Sequence, residues 1–167
     1  RPPSEVILAS ADPAPPEIPD MDAPFPIIRQ QAPLGRGNQI HAALPNTTAP
    51  WILVLHADAT LPTEALARLT IALAADPDII GGALGQRFFP PSARTLPIEV
   101  LNEARSLFGQ TAFGDQGQFF RRDLALRAGL VPAQPLMEDV ELSWRLRVLG
   151  RTLHLGTNVR ASPTKWH

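Results

Sequence analysis

The chain of 167 residues contains no cysteine. That excludes disulfides, thiolate zinc sites and cysteine nucleophiles, and it leaves oxygen and imidazole as the ligands open to a metal. Lysine is nearly absent too. Lys165 is its sole occurrence, so the positive charge rests on arginine, whose planar fork suits phosphate and carboxylate. Net charge is small, -1 from 15 Lys plus Arg against 16 Asp plus Glu, and no broad field draws the protein to nucleic acid or to an anionic membrane. No apolar run approaches the roughly 20 residues of a membrane span, and the opening RPPSEVILAS lacks the form of a signal peptide. These absences predict a soluble, cytoplasmic protein with no membrane span and no nucleic-acid partner. They leave its oligomeric state open.

What is present reads as one domain over 1–167, a length that a single core can fill. Glu5 to Ser10 is a short apolar run, and the repeated prolines that follow it, to Pro26, forbid helix and central strand alike. The apolar run from Trp51 to His56 has strand length and no alternation, as expected of a strand covered on both faces. A helix begins near Pro62, carries Leu66, Leu69 and Leu73 on one face, and ends at Asp76-Pro77. Ile79 to Leu84 reads as a strand. Pro97 opens a helix with Ile98, Leu101 and Phe108 in one stripe and Gly109 as its C-terminal cap. Gln118 to Phe120 is extended, Asp123 can cap a short helix after it, and Val140 to Leu149 is a helix bounded by Gly150. A last strand falls at Thr152 to Leu155. Alternating strands and helices predict an α/β fold, a three-layer sandwich with a mainly parallel central sheet. The sequence also opens without methionine a few residues ahead of a strand-like run, which points to a segment upstream.

Several segments bear chemistry. In open α/β sheets ligands bind beyond the carboxyl ends of strands, and His56 and Asp58 fall at that end of WILVLHADATLP. On the pattern alone, a turn cap beside a carbonyl-bonded histidine is favoured over a metal pair. In PLMEDVELSWRLRVLG, the carboxylates of Glu138 and Asp139 stand where a loop becomes a helix, so amide dipoles can stabilise their charge. Capping explains one acid well and the pair less well. FGDQGQFFRR sets Asp115 between two glycines, and PLGRGNQIH sets Arg36 between two more ahead of an amphipathic segment. The second lacks the Gly-Lys-Ser/Thr ending of an NTPase phosphate loop.

Together and in order, GRGNQIHAAL, WILVLHADATLP, GGAL, FGDQGQFFRRDL and PLMEDVELSWRLRVLGR resemble the family 2-type glycosyltransferases of the GT-A fold, in a bacterial subgroup with HAD, GDQG and MEDVEL motifs. The resemblance implies an inverting transfer from a nucleotide-diphospho-sugar donor to an acceptor hydroxyl, with Mg²⁺ or Mn²⁺ as cofactor. It implies Asp58 and His56 as metal residues, Asp139 as catalytic base and Glu138 as its support. Arg36, Gln39, His41 and Asp12 fall on the donor side, and Asp115, Gln116 and Gly117 on the acceptor side. It divides the chain into a family-like core, 35–151, and a divergent nucleotide-side segment, 5–34, where Ser10 stands in place of a usual aspartate and the family's first strand has no counterpart. That departure implies N-terminal truncation, an altered donor site, or a glycosyltransferase-like protein that binds without turnover. A nucleotidyltransferase of similar architecture is the other enzymatic alternative.

Overall fold

The computed structural model describes residues 3–13, 23–127, 129–156 and 159–161. The proline-rich loop expected up to Pro26 lies outside them over 14–22. The strands are β1 (Val6–Ser10), β2 (Ile27–Gln31), β3 (Trp51–Leu53), β4 (Ala59–Thr60), β5 (Ile79–Ala83), β6 (Gln86–Phe88), β7 (Gln118–Arg121), β8 (Arg151–His154) and β9 (Val159–Ala161). The helices are α1 (Arg36–Ala43), α2 (Ala65–Ala75), α3 (Leu96–Gly109), α4 (Arg122–Arg127) and α5 (Glu138–Leu149).

The layering follows from the two-residue period of a strand. In β7, Phe119 and Phe120 are both fully buried, on opposite sides. Phe120 packs with Leu142 and Leu146 of α5, Ala125 of α4, and Ile40 of α1, whereas Phe119 packs with Ala65 and Leu69 of α2. Each neighbouring strand divides the same way: Ile52 and Ile80 go to the α5 side, Trp51 and Ile79 to the α2 side. A run that is apolar at every position therefore marks a strand with a helix layer on each face. Each large apolar side chain among them that is fully buried, such as Phe119, Phe120 and Leu142, contributes about 1.5–3 kcal/mol.

The central sheet has the order β3-β7-β5-β8. It is mixed: β7 runs antiparallel to β3 and to β5, whereas β5 pairs with β8 in parallel. β1 and β2 form a separate parallel pair, and β4-β9-β6 a third small sheet. Parallel pairing thus accounts for part of the sheet, and the antiparallel β7 carries the segment that follows Asp115 back through its middle.

Helix α3 departs from the expected stripe. Leu101 and Phe108 are 65% and 88% exposed, and the buried positions are Asn102 and Ser106. The inward face is polar because it meets polar groups: Asn102 donates to Gln86 (2.9 Å), and Ser106 accepts from Gln116 (2.8 Å). The helix also ends one residue later than expected, with Gln110 in the left-handed conformation (φ 47°) after Gly109. Asp123 lies inside the first turn of α4 and accepts from Arg121 and Arg127 side chains rather than capping the backbone. No helix among the described residues is long and apolar enough to cross a membrane.

Candidate active site

Four separate segments meet at Arg36, the first residue of α1. Its Nε lies 2.6 Å from Glu138 Oε1, its Nη2 donates to Asp139 Oδ2 at 2.8 Å, and its Nη1 is 3.3 Å from His56 Nε2. Desolvation works against the guanidinium's charge, but the Glu138 hydrogen bond and the charges of Asp139 and Glu138 more than offset it, and Arg36 is held above its ordinary pKa. The carboxylates it joins are buried, with side chains 3% and 5% exposed, against 37% for Arg36 itself. The loop before α5 therefore does not open the two acids to solvent: the guanidinium lies over them.

Local sequence explains the approach. A Cβ on Gly37 would stand 2.4 Å from the Gln134 carbonyl oxygen and 2.6 Å from that of Pro132, so only glycine lets α1 press against the loop leading into α5. Gly114 has a similar function on the opposite side. Its amide donates to Asp139 Oδ2 (2.9 Å), and a Cβ there would come within 2.6 Å of His56 Nε2. Asp139 Oδ1 accepts from the amide of Val140 (2.8 Å). Beneath this, the buried Gln118 amide donates to the Asp139 carbonyl (2.9 Å) and to Ser143 Oγ (2.9 Å), tying β7 to the first turns of α5.

Asp115 follows Gly114 in a short 3₁₀ turn. Burial, reinforced by the charge of Asp139, raises its pKa against the opposing influence of His56 and Arg36, and its Oδ1 is buried without a hydrogen-bond partner. The sign of the linkage is then fixed. A carboxyl with a raised folded-state pKa stabilises the fold below its unfolded pKa and loses that contribution as pH rises through the folded value. Asp115→Asn should therefore raise the melting temperature at pH 7 by about 2–4 °C, as expected for a gain of roughly 1 kcal/mol, with the gain shrinking as pH falls toward 4. Melting curves of both proteins across pH 4–8 check this. An equal or lower melting temperature for the variant at neutral pH would show that the ionised carboxylate is stabilised where it stands.

The remaining sequence candidates fall elsewhere. Asp58 is exposed in the turn after His56, closed by the Ala59 amide bonding to the His56 carbonyl (3.1 Å). Gln116 is fully buried, donating to Ser106 Oγ and accepting from the Phe113 amide, and Gly117 is buried beside it, so neither lines an open surface. His41 turns to the Val131 carbonyl (3.3 Å), Gln39 is half-buried in α1, and Asp12 is exposed just past β1. Sequence reasoning missed Gln118, Ser143 and Arg105. The Arg105 guanidinium lies 3.5 Å over the Phe113 ring, its pKa lowered by desolvation against the charges of Asp115 and Asp139. The signal for it was the i, i+4 pair Asn102 and Ser106, polar residues that mark the inward face of α3.

The model of the Glycosyl transferase family 2 matches residues 9–127, a span that contains Arg36, His56, Asp58 and Asp115 and stops ahead of α5. The chain belongs to that family. Among solved structures it is similar to a mannosyltransferase, PcManGT from Pyrobaculum calidifontis, in complex with GDP-Man and Mn²⁺, with a TM-score of 0.59 and 20% identity. The match covers 83% of this chain and 39% of that one, so the chain spans well under half the length of this relative. The likeness identifies the fold as GT-A. A search of curated proteins finds no match.

Proposed function

We propose that the protein transfers a sugar from a nucleotide-diphospho-sugar to an acceptor hydroxyl, with inversion at the anomeric carbon. The observation that carries this reading is the gathering of Arg36, His56, Asp115 and Asp139 from four distant segments in a chain of this family. In the reaction, Asp139 Oδ2 takes the proton of the acceptor hydroxyl as that oxygen bonds to the anomeric carbon. The bond from that carbon to the donor's phosphate oxygen breaks, and the nucleoside diphosphate leaves with its electron pair. Glu138 holds Arg36 in place, and Arg36 offers a bidentate donor to phosphate. In this reading Asp115 orients the acceptor hydroxyl.

The donor set bears on the implied cation. Among the described residues no three His, Asp or Glu side chains gather to hold a metal by themselves, and His56 Nε2 already faces a guanidinium. A small hard ion needs no such cage: one carboxylate together with substrate phosphates and water suffices. Asp58, exposed in its turn, fits as that carboxylate, and His56 opens the same turn. When bound, the ion would neutralise charge on the leaving diphosphate. Asp58→Asn keeps size and one acceptor oxygen but loses the charge, so binding of nucleoside diphosphates that depends on Mn²⁺ should be abolished, and His56→Ala should weaken it less. Titration calorimetry with and without Mn²⁺ measures both, and equal affinity in Asp58→Asn would make Asp58 a turn residue only.

A thermal-shift panel of nucleoside diphosphates and their sugars tests the whole proposal. A ligand in large excess over its dissociation constant should stabilise the protein by about 3–4 kcal/mol. The absence of any shift across the panel would sink the reading. The second reading, a family member that binds donor without turnover, draws support from the burial of Asp139 under Arg36. Turnover in a complete chain separates the two.

A further inference from the structure

We infer that Arg36 is a latch on Asp139: its guanidinium covers the carboxylate in the free protein, and a diphosphate group draws it away, uncovering the base only once a donor is bound. The inference rests on the glycosyltransferase reading above and concerns the regulation of that same site.

The geometry of the cover comes first. Asp139 Oδ2 accepts from both Arg36 Nη2 (2.8 Å) and the Gly114 amide (2.9 Å), which occupies both lone-pair directions of that oxygen. Oδ1 is engaged by the Val140 amide (2.8 Å). The Oδ2 of a carboxylate so held and only 5% exposed cannot accept from an incoming hydroxyl until one donor leaves. Two of its donors are backbone amides fixed by α5 and by the turn at Gly114. Arg36 alone is a side chain, on a flexible stem and 37% exposed.

The exchange is chemically reasonable in both directions. One guanidinium bridges two buried carboxylates, and these two ion pairs hold Arg36 in the absence of ligand. A diphosphate offers more charge and two parallel oxygens to the same planar fork, the geometry in which guanidinium binds most strongly. Glu138 is the pivot. Its contact is with Nε, the nitrogen next to the stem, and that bond can persist while the terminal nitrogens change partners. After the exchange the Gly114 and Val140 amides, at the start of α5, still hold the Asp139 carboxylate in place. Oδ2 then has a free lone pair pointing where Arg36 had been. The same movement carries Nη1 away from His56 Nε2, 3.3 Å from it in the free protein.

The test reads the accessibility of one carboxylate and needs no acceptor. The 167-residue chain is treated with excess carbodiimide and a small amine, and amidation of Asp139 is quantified by mass spectrometry, alone and with GDP or UDP plus Mn²⁺; GMP serves as the monophosphate control. With whichever diphosphate raises the melting temperature, modification of Asp139 should rise at least about tenfold, as expected when a predominantly covered state becomes the minority. Arg36→Gln should reach that level without nucleotide. Arg36→Lys, which keeps the charge but cannot span three partners, should be folded by circular dichroism and show an intermediate, nucleotide-independent level; it decides the matter if the glutamine variant fails to fold. A diphosphate that raises the melting temperature while Asp139 stays protected overturns the latch and leaves the glycosyltransferase reading standing. So does an Asp139 that remains protected in the folded Arg36 variants. Failure of GDP, UDP and every other member of the nucleotide panel to raise the melting temperature removes the transferase reading, and the latch with it.

Discussion

Asp139→Asn is expected to lower turnover by about 10²–10⁴ fold, the range for loss of a positioned general base, once a donor and an acceptor that react with the complete protein are found. The same variant should also lose stability. All three groups that meet the Asp139 carboxylate are donors: Arg36 Nη2, the Gly114 amide and the Val140 amide. An asparagine must turn its NH₂ toward at least one of them, leaving a buried donor unsatisfied at a cost of about 1–3 kcal/mol. That corresponds to a fall in melting temperature of roughly 2–12 °C. A residue that merely capped α5 would accept asparagine with little change in either quantity. Turnover is therefore measured well below the variant's own melting temperature, with the fold followed by circular dichroism. Near-normal turnover in a folded, less stable variant would assign Asp139 to structure alone, and an unchanged melting temperature would contradict the buried donor set.

Gly37→Ala should be the most damaging substitution at the site that touches no charged atom. The added Cβ would lie 2.4 Å and 2.6 Å from two backbone carbonyl oxygens, of Gln134 and Pro132, and 3.0 Å from Glu138 Cβ. Backbone oxygens cannot swing aside as a side chain does, so α1 must shift away from the loop before α5. Overpacking of this severity costs about 3 kcal/mol, or roughly 6–12 °C in melting temperature. Because Arg36 precedes Gly37 directly, the shift should also pull the guanidinium from Glu138 and Asp139. Gly109→Ala is the matched control: its nearest neighbour is a flexible Arg105 Cγ at 3.7 Å, and its melting temperature should stay within about 2 °C of the parent. A Gly37→Ala protein as stable as that control would mean that α1 and the loop do not meet as described.

Much of the site was visible in the sequence as separate pieces. Glycines around Arg36 and Asp115, paired acids at a helix start and polar residues ending an apolar strand are local features, and each could be found by inspection. Their assembly was not visible. Arg36 and Asp139 are 103 positions apart, and an ion pair between distant segments leaves no periodic trace. Gln116 reads like a candidate ligand group because it is polar and flanked by glycine, yet it is fully buried, spent on Ser106 and on the Phe113 amide. Arg105 was hidden for the converse reason: an arginine on a helix with an apolar stripe reads as a solvated residue, and the stripe of α3 faces outward.

The sequence by itself determined the layers and several of the elements that build them. Side chains alternate along a strand, and runs such as Trp51 to Val54 and Phe119-Phe120 are apolar at successive positions, so both faces had to be covered and a helix layer was required on each. Only the tertiary structure decided which way β7 runs between β3 and β5, which face of α3 turns inward, and that Glu138 and Asp139 lie beneath Arg36 rather than open to solvent. The physical reason is the same for all three. Hydrophobic pattern states how much surface must leave water, whereas strand direction, the polar face of α3 and the Arg36 cluster depend on which distant groups offer matching donors and acceptors.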